Sequence, residues 1–467
     1  MPFFSPKQLA QWTGGVWDRT PPGNPITGVS HDTRLIQAGD LFVALRGDAR
    51  DGHDFIADAA RQGAVAALID RDSPVSPLPC LRVEAVRPAL ATIAANHRRQ
   101  FKGTVIGITG SCGKTSTKDL LHRLLGEAET LATEANLNNT LGVPLTLLRI
   151  DPARHRYAVI EAGINQPGEM IQMASQLRPD LAIITSIGPA HLDGLESEAN
   201  VWLEKSILVQ ERAEGGRALL PAELLRFDEA AKLDRVDWLF STRGAVSGVT
   251  YDPQRHFLGL LESGNNRRWK LVLTGPGLER MEYLLPPCSP GMRSNMRLAI
   301  AAACRIGASD THIQQVLDAW QPSPLRGEIR QCGEQLYYLD CYNANPLSML
   351  DALAAFMEIT PDATPRVYLL GGLKELGPEE EQWHQRVGEA VPFRPQDHVI
   401  LVAEKAAVYR QGLLHAGWDD SQITLLDNAR DAQALLANRP GAFFLKGSRA
   451  YALENALPET LLTTATH

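Results

Sequence analysis

The sequence predicts an α/β protein of three domains: a small α/β N-terminal domain, a central P-loop parallel-sheet domain and a C-terminal Rossmann-like α/β domain. Three observations carry this prediction. The chain has 467 residues, about three domains' worth at roughly 150 residues each. Short continuous apolar runs alternate with helix-length amphipathic stretches in two separate series, the pattern of strands buried on both faces of parallel sheets. In the middle of the chain, one such run meets its helix through a glycine-rich turn that contains Gly-Lys-Thr.

The elements follow in order. Residues 1–100 are expected to form the first domain, with strand-like runs Leu41–Leu45 and Ala64–Ile69 and an amphipathic helix from Pro88 to Gln100. Residues 101–325 form the second, where Thr104–Thr109, Tyr157–Glu161 and Leu181–Thr185 read as buried parallel strands between helices. From about 246 to 285 the apolar residues alternate around Gly264-Asn265-Asn266, which predicts an inserted antiparallel hairpin turning there. The stretch Pro322-Ser323-Pro324-Leu325-Arg326-Gly327 interrupts any helix and marks a joint. Residues 326–467 then carry a second parallel series, Arg366–Leu370, His398–Val402 and Ala442–Lys446.

Composition excludes several classes. With 46 Lys+Arg against 54 Asp+Glu, a net charge of −8, the bulk charge argues against nucleic acid as a partner. The six cysteines fall singly, without metal or disulfide spacing, as suits a reducing compartment. Met1-Pro2-Phe3-Phe4-Ser5-Pro6-Lys7 has no basic segment followed by an apolar stretch, and no run is long enough for a membrane span. A cytoplasmic protein is expected.

Thr109-Gly110-Ser111-Cys112-Gly113-Lys114-Thr115 lies between a buried strand and a helix. Glycines let backbone N–H groups converge on phosphate oxygens, the helix N-terminus adds its positive end, Lys114 reaches the terminal phosphates and the Thr115 hydroxyl can ligate Mg²⁺. Ile108 stands where the GxxxxGK[ST] pattern has its first glycine. Such a loop implies a nucleotide and leaves the reaction open. Glu161 closes a buried strand at the end that borders the ligand crevice, a place from which it could hold a metal. His191 follows the third strand, where a neutral imidazole could ligate a metal or hydrogen-bond a phosphate, or be a plain loop histidine. Lys205, beside Glu204 in a helical stretch, reads on these grounds as half of a solvated neighbour pair.

Several segments together resemble the Mur ligases, the ATP-dependent amide-forming enzymes of cell-wall precursor synthesis. These are the TGxxGKT form of the phosphate loop; Asn136-Leu137-Asn138-Asn139-Thr140-Leu141-Gly142-Val143-Pro144; Asp340-Cys341-Tyr342-Asn343-Ala344-Asn345-Pro346 with Ser348-Met349; and Lys446-Gly447-Ser448-Arg449. Ser30-His31-Asp32-Thr33-Arg34, with Gly39 to Gly47 and Asp51-Gly52-His53, is similar to that family's uridine-nucleotide module. The resemblance spans nearly the whole chain, and within the family its marks fit the type that joins D-alanyl-D-alanine to UDP-N-acetylmuramoyl-tripeptide. It implies ATP and Mg²⁺, with ATP at Thr109 through Ser116, Asn295, Arg326 and Asp340. Lys114, Glu161, His191 and Lys205 are implied as catalytic, and Thr115, Glu161, His191 and Lys205 as metal-supporting, the last when carbamylated, since a carbamate offers Mg²⁺ oxygen ligands. On the substrate side it implies Ser30, Asp32 and Arg34 at the uridine nucleotide, Asn138 and Asn139 near nucleotide or substrate, and Asn343, Asn345, Lys446, Ser448 and Arg449 facing the cleft. A monomer is expected.

Two departures stand out. The family's H-N-x-x-N appears as Ser294-Asn295-Met296-Arg297-Leu298, and its LGDMxELG as Leu370-Gly371-Gly372-Leu373-Lys374-Glu375-Leu376-Gly377. Leu298 has no hydrogen-bonding side chain, so Asn295 is the remaining adenine candidate. The alternatives are another Mur-type or folylpolyglutamate-type ligase, a nucleotide-binding paralogue without ligase activity, or a plain P-loop kinase.

Overall fold

In the computed structural model, which describes residues 3–47, 49–71, 76–264, 268–437 and 439–462, the strands form three main sheets. The first contains β1 (Val16–Trp17), β2 (Gly28–Ser30), β3 (Asp40–Val43), β4 (Ala66–Ile69) and β5 (Cys80–Arg82), in the order β1-β5-β4-β3-β2. Its pairings are parallel except that of β1 with β5. The helix Val86–Gln100 covers one face with Val86, Leu90, Ile93 and Ala94. That helix starts two residues before the expected Pro88.

The same helix joins this domain to the next. Its apolar face belongs to one continuous cluster with Val143, Leu147, Met170 and Met173 of the following domain. Near its end, Arg98 donates to the Leu177 and Arg178 carbonyls and pairs with Asp180 at 2.8 Å, while the His97 ring bonds the Ile150 carbonyl.

The second sheet has β6 (Thr104–Thr109), β7 (Thr130–Ala132), β8 (Tyr157–Glu161), β9 (Leu181–Ile184), β10 (Arg217–Pro221) and β11 (Val236–Phe240). After a short ladder of β12 (Ala245–Val246) and β13 (Val249–Thr250) come β14 (Phe257–Ser263), β15 (Trp269–Gly275) and β16 (Leu278–Leu285). The order is β16-β15-β14-β11-β10-β9-β6-β8-β7. Val105, Ala158, Ile160 and Ile184 point into one core and Ile106, Val159 and Ile183 into the other, which is why these strands read as unbroken apolar runs. The chain leaves β6 to build β8 and β7 on one side and returns to place β9 on the other, so the carboxyl end of β6 is the switch point where a crevice opens. The expected insertion is larger than a hairpin. β14, β15 and β16 form an antiparallel meander on the sheet's edge, and the expected Asn265-Asn266 turn lies outside the described residues.

The third sheet holds β17 (Glu328–Cys332), β18 (Gln335–Leu339), β19 (Arg366–Gly371), β20 (His398–Val402), β21 (Ile423–Leu425) and β22 (Ala442–Lys446), ordered β17-β18-β22-β19-β20-β21. It is parallel except at β17. Its two cores, around Tyr368 and Phe444 and around Leu369 and Phe443, are its own. Among the described residues no helix is long and apolar enough to cross a membrane.

Candidate active site

The phosphate loop leaves β6 at the switch point. Gly110 has φ +149, and a Cβ there would strike the Thr185 hydroxyl. The segment after β9 fastens the loop: Ser111 N–H donates to the Ser186 carbonyl at 2.8 Å, Cys112 N–H to the Ser186 hydroxyl at 3.1 Å, and the Ser111 hydroxyl to the Gly188 carbonyl at 3.0 Å. Gly113 has φ +83, with the Asn295 carboxamide filling the space a Cβ would need. With no side chain capping it, the helix Lys114–Leu124 leaves its first amides for an anion. Lys114 Nζ donates to the Gly110 carbonyl at 2.7 Å. Desolvation lowers its pKa and the nearby Glu161 opposes that shift.

A cleft of about 780 Å³ opens over this loop, lined from both the second and third sheets. Glu161, 2% exposed, sits on its floor at the end of β8. Asn138 Nδ2 donates to Glu161 Oε1 at 2.7 Å, whereas Oε2 is buried without a hydrogen-bond partner. Lys205 lies against this cluster, fully buried, its Nζ also without a partner. Burial drives its ammonium pKa well below 10.5, with Lys114 adding to the fall.

The solvated reading of Lys205 is thereby corrected. Val201, Trp202, Lys205, Ser206, Leu208 and Val209 form the buried face of the helix Glu198–Gln210, and Glu204 points elsewhere, accepting the Gly168 and Met170 amides. The apolar spacing around Lys205 was the available signal. His191 takes a left-handed backbone, φ +57, and its Nδ1 is 2.6 Å from Glu375 Oε2. Burial lowers the His191 pKa against the raising effect of Glu375, and the hydrogen bond to His191 lowers that of Glu375.

The third sheet supplies the opposite wall. Arg326 reaches the Thr115 hydroxyl at 3.3 Å and lies 4.1 Å over the Tyr342 ring. Lys446, 1% exposed, is engaged from below: its Nζ donates to Asp340 Oδ2 at 2.9 Å and to the Asn343 carbonyl at 3.3 Å. Asn345 caps the helix Pro346–Ile359, accepting the Ser348 amide, while its Nδ2 donates to the Ser111 carbonyl and its Oδ1 accepts from the Cys112 thiol. Asn139 holds the turn ahead of the helix Gly142–Leu147, its Oδ1 accepting the Leu141 and Gly142 amides. Ser116, Asn343 and Ser448 line the cleft.

The remaining candidates lie apart from the cleft lining. Thr109 is buried at the end of β6 with Gly110 beneath the loop, and Arg449 pairs with Glu454. Ser30, Asp32 and Arg34 stand on the first domain at the end of β2. There Arg34 binds Asp32, whose carboxyl is held at about 2.

At the departures, Leu298 lines the cleft while Asn295 keeps its place against the loop. Tyr451 packs where a side chain on Gly372 would go. Glu375, part of the Leu370 to Gly377 segment, lines the cleft from the third sheet and contacts His191, a contact that sequence reasoning did not single out.

A P-loop at a parallel-sheet switch point, a buried carboxylate with a free oxygen, a buried lysine without a hydrogen-bond partner and a second α/β domain clasped over them define a nucleotide-binding enzyme that works between domains. Three family models match the chain: "Mur ligase family, catalytic domain" over residues 25–101, "Mur ligase middle domain" over 108–249 and "Mur ligase, glutamate ligase domain" over 325–449. Relatives called UDP-N-acetylmuramoyl-tripeptide--D-alanyl-D-alanine ligase include that of Escherichia coli K12, 35% identical over 389 residues and 82% of each chain. That of Treponema pallidum is 31% identical over 92% of this chain and 93% of its own. The crystal structure of MurF from Acinetobacter baumannii superposes with a TM-score of 0.83 at 28% identity, covering 98% of both chains. The chain belongs to the Mur ligase family.

Proposed function

We propose that this chain is an ATP-dependent amide ligase that joins D-alanyl-D-alanine to the terminal carboxylate of UDP-N-acetylmuramoyl-tripeptide, forming a peptidoglycan precursor in the cytoplasm as a monomer. The observation that carries the reading is the convergence of the phosphate cradle and Glu161 in a cleft walled by the third sheet, with Lys205 buried close enough to feel the charges of Lys114 and Glu161. The domain division 1–100, 101–325 and 326–467 belongs to the same proposal, with the uridine nucleotide held by the first domain around Ser30, Asp32 and Arg34.

A carboxylate is a poor electrophile. Its oxygen attacks the γ-phosphorus of ATP, ADP leaves and an acyl phosphate forms. The dipeptide's neutral amine then attacks the acyl carbon, the bond from that carbon to the phosphate oxygen breaks, and the nitrogen's surplus proton goes to the departing phosphate as the amide forms. Lys114 and the amides at the head of the helix Lys114–Leu124 offset charge on the transferring phosphoryl oxygens, and Arg326 adds a second cation from the other domain. Glu161 is oriented by Asn138, and Asp340 by Lys446.

The donors present fit Mg²⁺. Glu161 Oε2 is an orphaned buried oxygen in the cleft that Thr115 also lines, and Mg²⁺ commonly takes one or two protein oxygens with the rest from phosphate and water. When bound, the ion polarises the phosphoryl oxygens. Burial lowers the pKa of Lys205, which favours the unprotonated amine that a reaction with CO₂ needs, and its carbamate would supply further oxygens to that site.

The test is phosphate release from ATP with Mg²⁺, the tripeptide nucleotide and the dipeptide, each omitted in turn, with the product weighed. Release that requires both acceptors, a pentapeptide mass, and a fall in turnover of ~100-fold or more in Lys114→Ala are expected. Nucleotide binding without product would overturn the ligase reading.

A further inference from the structure

His191 and Glu375 meet across two domains in an unusual way. His191 follows β9, and Glu375 lies in the loop after β19. Their side chains touch at Nδ1 and Oε2, 2.6 Å apart, and Leu192 N–H donates to the Glu375 carbonyl at 2.8 Å. Both are non-glycine residues in the left-handed region, with φ +57 and +62. Such backbone persists where its surroundings over-determine it, and it collects at functional sites. Gly377, φ +54, lies against the Leu192 carbonyl and Asp193, completing the same contact. Among the described residues the His191 ring has no other hydrogen bond. An imidazole that donates from Nδ1 to a carboxylate is locked in one tautomer, with the Nε2 lone pair exposed and made more basic.

We propose that Glu375 is a positioning residue supplied by the C-terminal domain to the cation site: by accepting the Nδ1 hydrogen it orients His191 so that Nε2 faces the cleft, and it does so only when that domain is closed over the phosphate loop. Closure and Mg²⁺ loading are then one coupled equilibrium, each favouring the other by the same factor. The inference rests on the ligase reading for the placing of His191 at the cation site.

The test uses the full chain as wild type, Glu375→Gln and Glu375→Ala, loaded with a non-hydrolysable ATP analogue. Mn²⁺ affinity is read from the free-ion paramagnetic resonance signal, and the His191 ring nitrogens are followed by ¹⁵N NMR. The wild type is expected to show the Nδ1-protonated tautomer. Glu375→Ala is expected to lose it and to bind Mn²⁺ ~10-fold or more weakly, with analogue affinity in EDTA unchanged. Glu375→Gln, whose amide oxygen still accepts the hydrogen, is expected to keep both properties close to wild type. An alanine variant with wild-type Mn²⁺ affinity and tautomer overturns the proposal, as does a glutamine variant no better than alanine. Product formation by the wild type is measured separately. If product forms while the alanine variant binds Mn²⁺ normally, this inference alone falls; if none forms, the ligase reading falls and the tautomer and Mn²⁺ readouts still decide this one.

Discussion

Lys205 is buried completely with nothing to hydrogen-bond its amine, and that cost sets its chemistry. Because burial depresses its pKa, the native state binds fewer protons than the unfolded chain between the depressed value and 10.5, and stability rises with pH through that window. Lys205→Met, close in shape and without a polar atom to desolvate, is expected to be at least as stable as wild type at pH 7 in CO₂-free buffer. Its advantage should shrink as pH approaches 10.5, as urea midpoints across the range would show. An advantage independent of pH would mean that the lysine stays charged in the native state. The residue was legible only in part: Lys205 lies four positions after Val201 and three before Leu208, on an apolar helical face, but charge alone suggested solvent.

Elements were read more accurately than single side chains. β6, β8, β20 and β22 begin and end where their apolar runs do, because burial on both faces leaves no alternation to blur the limits. β10 and β11, buried strands whose runs contain Arg217, Pro221 and Asp237, go unread, as do β17, β18 and β21, which are short, at an edge or mixed in polarity. The helix Pro346–Ile359 shows an element doing two jobs, since its cap Asn345 also grips the phosphate loop at Ser111 and Cys112. Asn345→Asp keeps the capping oxygen, loses the donor to Ser111 and brings negative charge towards the phosphates. It is expected to melt near wild type while its KM for ATP rises about tenfold, or ~1.4 kcal/mol. Asn345→Ala removes the cap as well and is expected to lose about 1 kcal/mol of stability. Equal ATP KM for Asn345→Asp and wild type would reduce Asn345 to a cap.

At the scale of the molecule the two interdomain joins differ in kind. The first domain shares an apolar core with the second through the helix Val86–Gln100. The third keeps its own cores and meets the second through polar contacts: Ser323 to Asp119 at 2.8 Å, Asp351 to the Gly291 amide at 2.6 Å, Arg293 to Glu358 at 3.3 Å and Glu375 to His191. Polar contacts exchange with water at small net cost, whereas parting a shared core exposes apolar surface. The third domain is therefore expected to swing about residues 322–327, where Leu325 and Gly327 both have positive φ. Small-angle scattering should show a larger radius of gyration for the free chain than for the chain with ATP analogue and both acceptors, and superimposable curves would remove the hinge.

The parallel sheets, the phosphate loop and the joint could be read from the chain because each depends on neighbours in sequence: apolar runs for doubly buried strands, glycines for a loop that closes on an anion, prolines for a break. The burial of Lys205, the partner of His191, the grip of Asn345 on the phosphate loop and the engagement of Lys446 by Asp340 could not. Each is set by a group that folding brings in from elsewhere, in most cases far along the chain, and a pKa or a hydrogen bond depends on that distance in space rather than on any local pattern.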